Sequence, residues 1–158
     1  MRQAVDRTLQ GRREFDLAVV ETLNCARRDL FFIDHDFQRW PIQSAAFETA
    51  LREALLRGAS LTVLVVQPDW LAREGDRFMR LRRRFSSAIS VRQIPATLRV
   101  EESALLADDQ HLLRRTHYTS QMARLLLASP SLVEGLSTRY RAIRDESTDC
   151  LPATTIGL

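Results

Sequence analysis

The side chains best equipped for chemistry are three histidines, His35, His111 and His117, and the acids Asp34 and Asp36 that flank the first. Carboxylates and imidazoles together can bind a metal ion or pass protons. Asp34-His35-Asp36 directly follows the apolar run LFFI, and open α/β sheets bind ligands just beyond the C-terminal ends of their strands. Alternation along an extended strand sends Asp34 and Asp36 to one side and His35 to the other. The three therefore cannot all serve one ion if the strand continues. Adding His111 and His117 produces no established ligand spacing, so no metal is assigned. Caps and turn hydrogen bonds are the plainer use of these residues. Asp34, His35, Asp36 and His117 remain a candidate cleft for an enzyme with a non-standard site.

The second candidate chemistry is anion binding. All 23 basic residues are arginine, and the 158-residue chain has no lysine. This excludes Schiff-base chemistry and the lysine-dependent phosphate loop. It leaves the guanidinium fork, which suits carboxylate and phosphate. Arg73, Arg77, Arg80 and Arg84 recur at three- and four-residue steps on one expected helix, forming a stripe that could grip phosphates. Glu74 and Asp76 weaken its field, and most such runs are solvated faces. Arg114 and Arg115 alternate across one strand, so only one can face a cleft, and Arg115 joins the candidate anion-binding set. Ser44, Ser103 and Ser129 lack a nucleophile-elbow context.

Cys25 and Cys150 lie far apart in no metal or redox spacing and read as free thiols. No apolar run is long enough to span a bilayer. The start, MRQAVDRTLQGRREF, has no apolar signal region, so a bacterial-type cytoplasmic protein is expected. The net charge of +3 and pI near 9.5 permit a polyanionic partner without requiring one.

These residues must be positioned by one α/β domain, expected over residues 13–147. The segment 1–12 reads as a loose lead-in and 148–158 as a flexible tail. Helical spacing of Phe15, Val19, Leu23 and Ala26 predicts a helix over Arg13–Arg28. Others follow over Ser44–Arg57, closed by Gly58, and over Trp70–Phe85 after a capping Asp69. Ser129-Pro130 starts a last helix, burying Leu132, Val133, Leu136, Tyr140 and Ile143. Strands are expected at Leu30–Ile33, Leu61–Val66, Ile89–Ile94, Ser103–Ala107, His111–Arg115 and Arg124–Ala128. The turn Asp108-Asp109-Gln110 joins two of them. The order implies a mixed, mainly parallel sheet with helices on both faces. Trp40 and Trp70 read as core or rim anchors.

The ordered set FFIDHDF, FETALREALLRG, LTVLVV, ISVRQI, EESALLADD and RLLLASPSLVEGLSTRYRAI resembles one half-domain of the phospholipase D superfamily, over about Leu30 to Ser147. That resemblance implies a motif His-x-Lys-x-x-x-x-Asp, followed by a Gly-Ser-x-Asn-like segment. Aligning the Asp on Asp108 puts Glu101 at the nucleophilic histidine and Ser103 at the phosphate-holding lysine. The second segment falls near Arg115-Thr116-His117-Tyr118. A carboxylate would repel a phosphodiester and a serine supplies no positive charge.

The resemblance thus implies a degenerate, non-catalytic domain, without a cofactor, serving as a binding or assembly module. In that superfamily two halves pair across a shared cleft, so a homodimer is expected, with a self-complementary patch near Ala104–Leu106. The alternatives are a nucleic-acid binder using the arginine stripe and an enzyme using the non-standard cleft.

Overall fold

The computed structural model describes residues 2–153. Its centre is the pair β2 (Asp29–Asp34) and β5 (Ser103–Ala107), antiparallel neighbours whose residues are almost wholly buried. Runs such as LFFID and SALLA have no polar alternation because both faces are covered. On one side of β2 come β3 (Ser60–Val65) and β4 (Ile89–Gln93), both parallel to it. On the other side of β5 come β6 (His111–Arg115), β7 (Met122–Leu127) and β1 (Val5–Gln10), all antiparallel. With β8 (Thr148–Asp149) the eight-stranded order is β1-β7-β6-β5-β2-β3-β4-β8. Two ladders are parallel and five antiparallel, so the sheet is mixed, but not mainly parallel as expected. Hairpin-length connections among β5, β6 and β7 permit only antiparallel pairing.

Helices α1 (Arg12–Cys25), α2 (Ala45–Leu56), α3 (Asp69–Glu74) and α4 (Asp76–Arg84) pack on one face. Their core includes Phe15, Trp40, Phe47 and Phe78. The opposite face is covered by α5 (Pro130–Glu146) through Val133, Tyr140 and Ile143, against Phe31, Ile33, Leu106 and Leu112.

Several expectations change. The supposed lead-in contains β1, an edge strand whose alternating VDRTLQ buries only Leu9 while its backbone pairs with β7. At the other end Thr148 and Asp149 pair with β4, and the Cys150 amide donates to Val91 O at 3.0 Å. Residues 154–158 of the expected tail lie outside the described residues. The single helix over Trp70–Phe85 is broken at Gly75, where a Cβ would meet Leu71 O at 2.5 Å, so only glycine fits. Asp69 sits inside α3 without capping it. Ser129 does not cap α5 either, because its hydroxyl donates to Leu127 O instead. Leu132 is 61% exposed, since it falls one position off the buried stripe. Ala104–Leu106 cannot be a dimer patch at the surface, because these residues are the buried centre of the sheet.

Candidate functional site

The hairpin β5–β6 organises the molecule at both of its ends. At its tip, the three-residue loop Asp108-Asp109-Gln110 turns on left-handed Asp108 and Asp109, with φ of 55° and 57°, and the Gln110 amide donates to Ala107 O at 3.1 Å. The Asp108 carboxylate accepts the amides of Arg27, Arg28 and Asp29 at 2.9, 2.8 and 3.0 Å. It thereby clips the α1–β2 loop to the sheet. Asp109 reaches the opposite layer, accepting from Ser137 Oγ at 3.0 Å and Arg141 Nη2 at 2.6 Å. Burial pushes the Asp109 carboxyl up, but these bonds outweigh it and hold the group below its usual range. The resemblance put Asp108 in a motif, and here its side chain is occupied by backbone amides.

At the open end of the hairpin, alternation sends successive residues of β5 and its approach to different surroundings. Ser103 is fully buried beneath α1, where its Oγ accepts from Trp40 Nε1 at 2.7 Å. Trp40 Nε1 also lies 3.4 Å from Asp34 Oδ1, while Asp34 Oδ2 accepts the amides of Asp36 and Phe37 at 3.0 and 2.6 Å. Burial pushes the Asp34 carboxyl up, only partly offset by its bond to the Ser103 hydroxyl and these amides. Glu102 points the other way and is 4% exposed. It accepts from Tyr140 Oη at 3.0 Å, from Arg114 Nη2 at 3.4 Å and from Arg139 Nη1. That cluster ties α5 to the sheet, and burial beside Glu102 drives the Tyr140 phenol far up. Glu101 stays at the rim, accepting from Arg99 Nε at 2.8 Å, while its carbonyl accepts the Tyr118 amide at 2.7 Å.

Around that rim His35, Tyr118 and His117 form a stack, with ring centroids 4.5 and 4.6 Å apart. His117 Nδ1 accepts the Thr119 amide at 3.2 Å. Asp36 turns back on Gln38, accepting from its amide at 3.0 Å and its Nε2 at 3.1 Å. The cleft expected from Asp34, His35, Asp36 and His117 therefore divides. The two histidines meet through Tyr118, whereas each aspartate is occupied by its own turn. Among the described residues, no three His, Cys, Asp or Glu side chains converge as metal ligands.

The arginine stripe also divides. Arg73 lies on α3, while Arg77 and Arg80 on α4 pair with Glu48 of α2 at 3.4 and 3.5 Å. Arg84 lies over the Phe85 ring at 5.3 Å. Arg115 is instead drawn inward, its guanidinium 3.5 Å from the Phe15 ring centroid. Glu102, Arg39 and Arg12 were not among the residues that the sequence singled out. The signal for Glu102 was its place between two residues expected to face a cleft, since alternation had to send it elsewhere.

The family model for a domain of unknown function, DUF7931, matches residues 11–152. No curated protein matches the chain. Among solved structures it is similar to Nuc, a phospholipase D family member from Salmonella typhimurium. The TM-score is 0.72 at 11% identity, over 94% of this chain and 99% of that one. NucT from Helicobacter pylori gives 0.68 at 8% identity, over 94% and 100%. The archaeal chromatin protein TrmBL2, described with a novel mode of DNA binding, gives 0.68 at 13% identity, over 92% of this chain and 54% of that one. At such identities the likeness establishes the fold alone. No described helix is long and apolar enough to cross a membrane.

Proposed function

This chain belongs to the DUF7931 family of domains of unknown function, and from that premise we propose that it is a non-catalytic binding module built on a phospholipase D fold. The observation that carries the reading is the state of Ser103. The resemblance expects there a lysine to neutralise a phosphate oxygen, but the side chain is sealed beneath Trp40 with its hydroxyl already engaged. Glu101, at the expected nucleophile, is an anion that repels a phosphodiester, and the chain has no lysine to substitute. The test is turnover of bis(p-nitrophenyl) phosphate between pH 5 and 9, with and without divalent cations. Release no faster than buffer is expected. Turnover that disappears on substituting Glu101 or His117 overturns the reading.

Homodimerisation is part of the proposal, motivated by the resemblance, in which two halves pair across a shared cleft, and by the one motif strand among the described residues. With Ala104–Leu106 buried, the meeting surface is the rim of Glu101, His117 and Tyr118. Light scattering at micromolar concentration tests it, and a strictly monomeric species refutes it. Nucleic-acid binding is a second reading, favoured by the likeness to TrmBL2. Glu48 already neutralises part of the arginine stripe, so this reading predicts only weak, salt-sensitive retention of DNA. Failure to bind at low salt removes it.

A further inference from the structure

Beside the buried Ser103–Trp40 pair, a cavity of about 240 Å³ opens between the start of α1 and the loop joining β6 to β7. It is lined by Gly11, Arg12, Gln38, Arg39, Arg115, Ser120 and Gln121. Of the positions the resemblance marks, Arg115 at the start of the second segment lines it, and Glu101, Ser103 and Asp108 do not. Two independent features make it a receptor for negative charge. The first is the N-terminus of the 14-residue α1, which is preceded by Gly11 with φ of 87° and has no side-chain cap. Its leading amides and dipole favour an anion. Glu14 in the first turn instead accepts the Gln10 amide at 3.0 Å.

The second feature is Arg115, which is only 7% exposed and remains charged in any protein environment. Its Nη1 donates at 3.4 Å to Arg39 O, and its Nε has no partner among the described residues. A buried guanidinium with unused donors is costly unless an acceptor meets it. The Phe15 ring supports its face and holds the fork in place. Arg12 and Arg39 bring two exposed guanidinium groups to the same cavity. The nearest competing carboxylates are Asp16, 3.7 Å from Arg12 Nε, and Asp34. Asp34 already accepts the amides of Asp36 and Phe37, so three guanidinium groups at the cavity stand against these two carboxylates.

We propose that this cavity binds a phosphate group, held by Arg12, Arg39 and Arg115 at the N-terminus of α1. Its volume is below the roughly 300–1,000 Å³ typical of pockets for whole small ligands, so it takes a headgroup and leaves the remainder of a phosphoester outside. The proposal deepens the binding-module reading and rests on it for reversible binding without turnover.

The experiment is calorimetric titration of the full chain, at constant ionic strength, with inorganic phosphate, a nucleoside 5′-monophosphate and sodium chloride. Saturable binding of phosphate and none of chloride is expected. Tighter binding of the nucleotide assigns a phosphoester as the source, and equal binding assigns free phosphate. Arg12→Ala and Arg39→Ala change exposed side chains and each should weaken binding at least tenfold, whereas Arg83→Ala on α4 should not. Arg115→Gln should abolish binding, and the two exposed variants decide the matter if it fails to fold. No phosphate binding, or binding untouched by Arg12→Ala and Arg39→Ala, overturns the proposal. Phosphate binding together with phosphodiester turnover would instead defeat the non-catalytic reading alone.

Discussion

Replacing Asp108 tests whether the retained motif aspartate is a structural clip. Its carboxylate accepts three backbone amides within 3.0 Å, and hydrogen bonds to a charged group contribute about 1.5–3 kcal/mol each. Arg27 and Arg28 are exposed, so water replaces part of the loss at the freed loop and the total falls slightly below three times the low end, about 4 kcal/mol for all three. Asp108→Ala adds the strain of a left-handed residue, about 1 kcal/mol, for a total near 5 kcal/mol. Asp108→Gly removes the same bonds without that strain and should fall about 1 kcal/mol short of alanine. Asp108→Asn keeps one acceptor oxygen but sets its amide group against a backbone donor, at a cost of about 2 kcal/mol. Urea unfolding followed by circular dichroism reads these differences. With m near 2 kcal/mol/M the alanine variant should lose about 2.5 M in midpoint at unchanged m. An alanine variant within 1 kcal/mol of the parent, or a glycine variant less stable than alanine, refutes the clip.

The remaining predictions concern buried titrating groups and the α5 anchor. Asp34 has a raised native pKa, so its contribution is full below the unfolded value near 3.9 and is lost as pH rises through the native one. The stability of the parent relative to Asp34→Asn should therefore fall as pH rises above about 4 in urea titrations, and a difference independent of pH contradicts this. Burial holds His111 below its ordinary range, with Nδ1 accepting the Ala128 amide at 2.9 Å. Its contribution is present above about 6.5 and lost as pH falls through the lowered native value. His111→Asn should flatten the decline in stability from pH 7 to 5, and an unchanged slope counts against it. Glu102→Gln should cost about 2 kcal/mol, less than for a fully buried pair because Arg114 and Arg139 are 31% and 42% exposed. A thermal midpoint unmoved by this change rejects the α5 anchor. The Cys150 thiol, pushed up to about 11 by burial and Asp149, should react with Ellman's reagent at pH 8 much more slowly in the native than in the unfolded protein.

The buried strands were legible because LFFID, SLTVLV and SALLA can persist only where both faces are covered. Ser44 was legible as a helix start, and its hydroxyl accepts the Phe47 amide at 3.1 Å. Val5–Gln10 escaped because an edge strand is held by backbone pairing and needs only one buried side chain, Leu9. The break at Gly75 depends on crowding against Leu71, which no periodicity reveals. The candidate site was harder still. Asp108 lies about 80 residues from the amides it holds, and Trp40 lies 63 from Ser103. Residue types therefore named the participants without showing which were already occupied. Arg115 was an anion-binding candidate by type alone, and its inward turn onto Phe15 follows from the strand's facing rather than from any local pattern.

The central claim, binding without phosphodiester chemistry, is tested most directly by single-turnover incubation of end-labelled single-stranded DNA with excess protein. Protein in excess exposes even slow cleavage that steady-state assays miss. A full-length label after many hours at every pH from 5 to 9 is the expected result. Cleavage products that vanish in His117→Ala would contradict it.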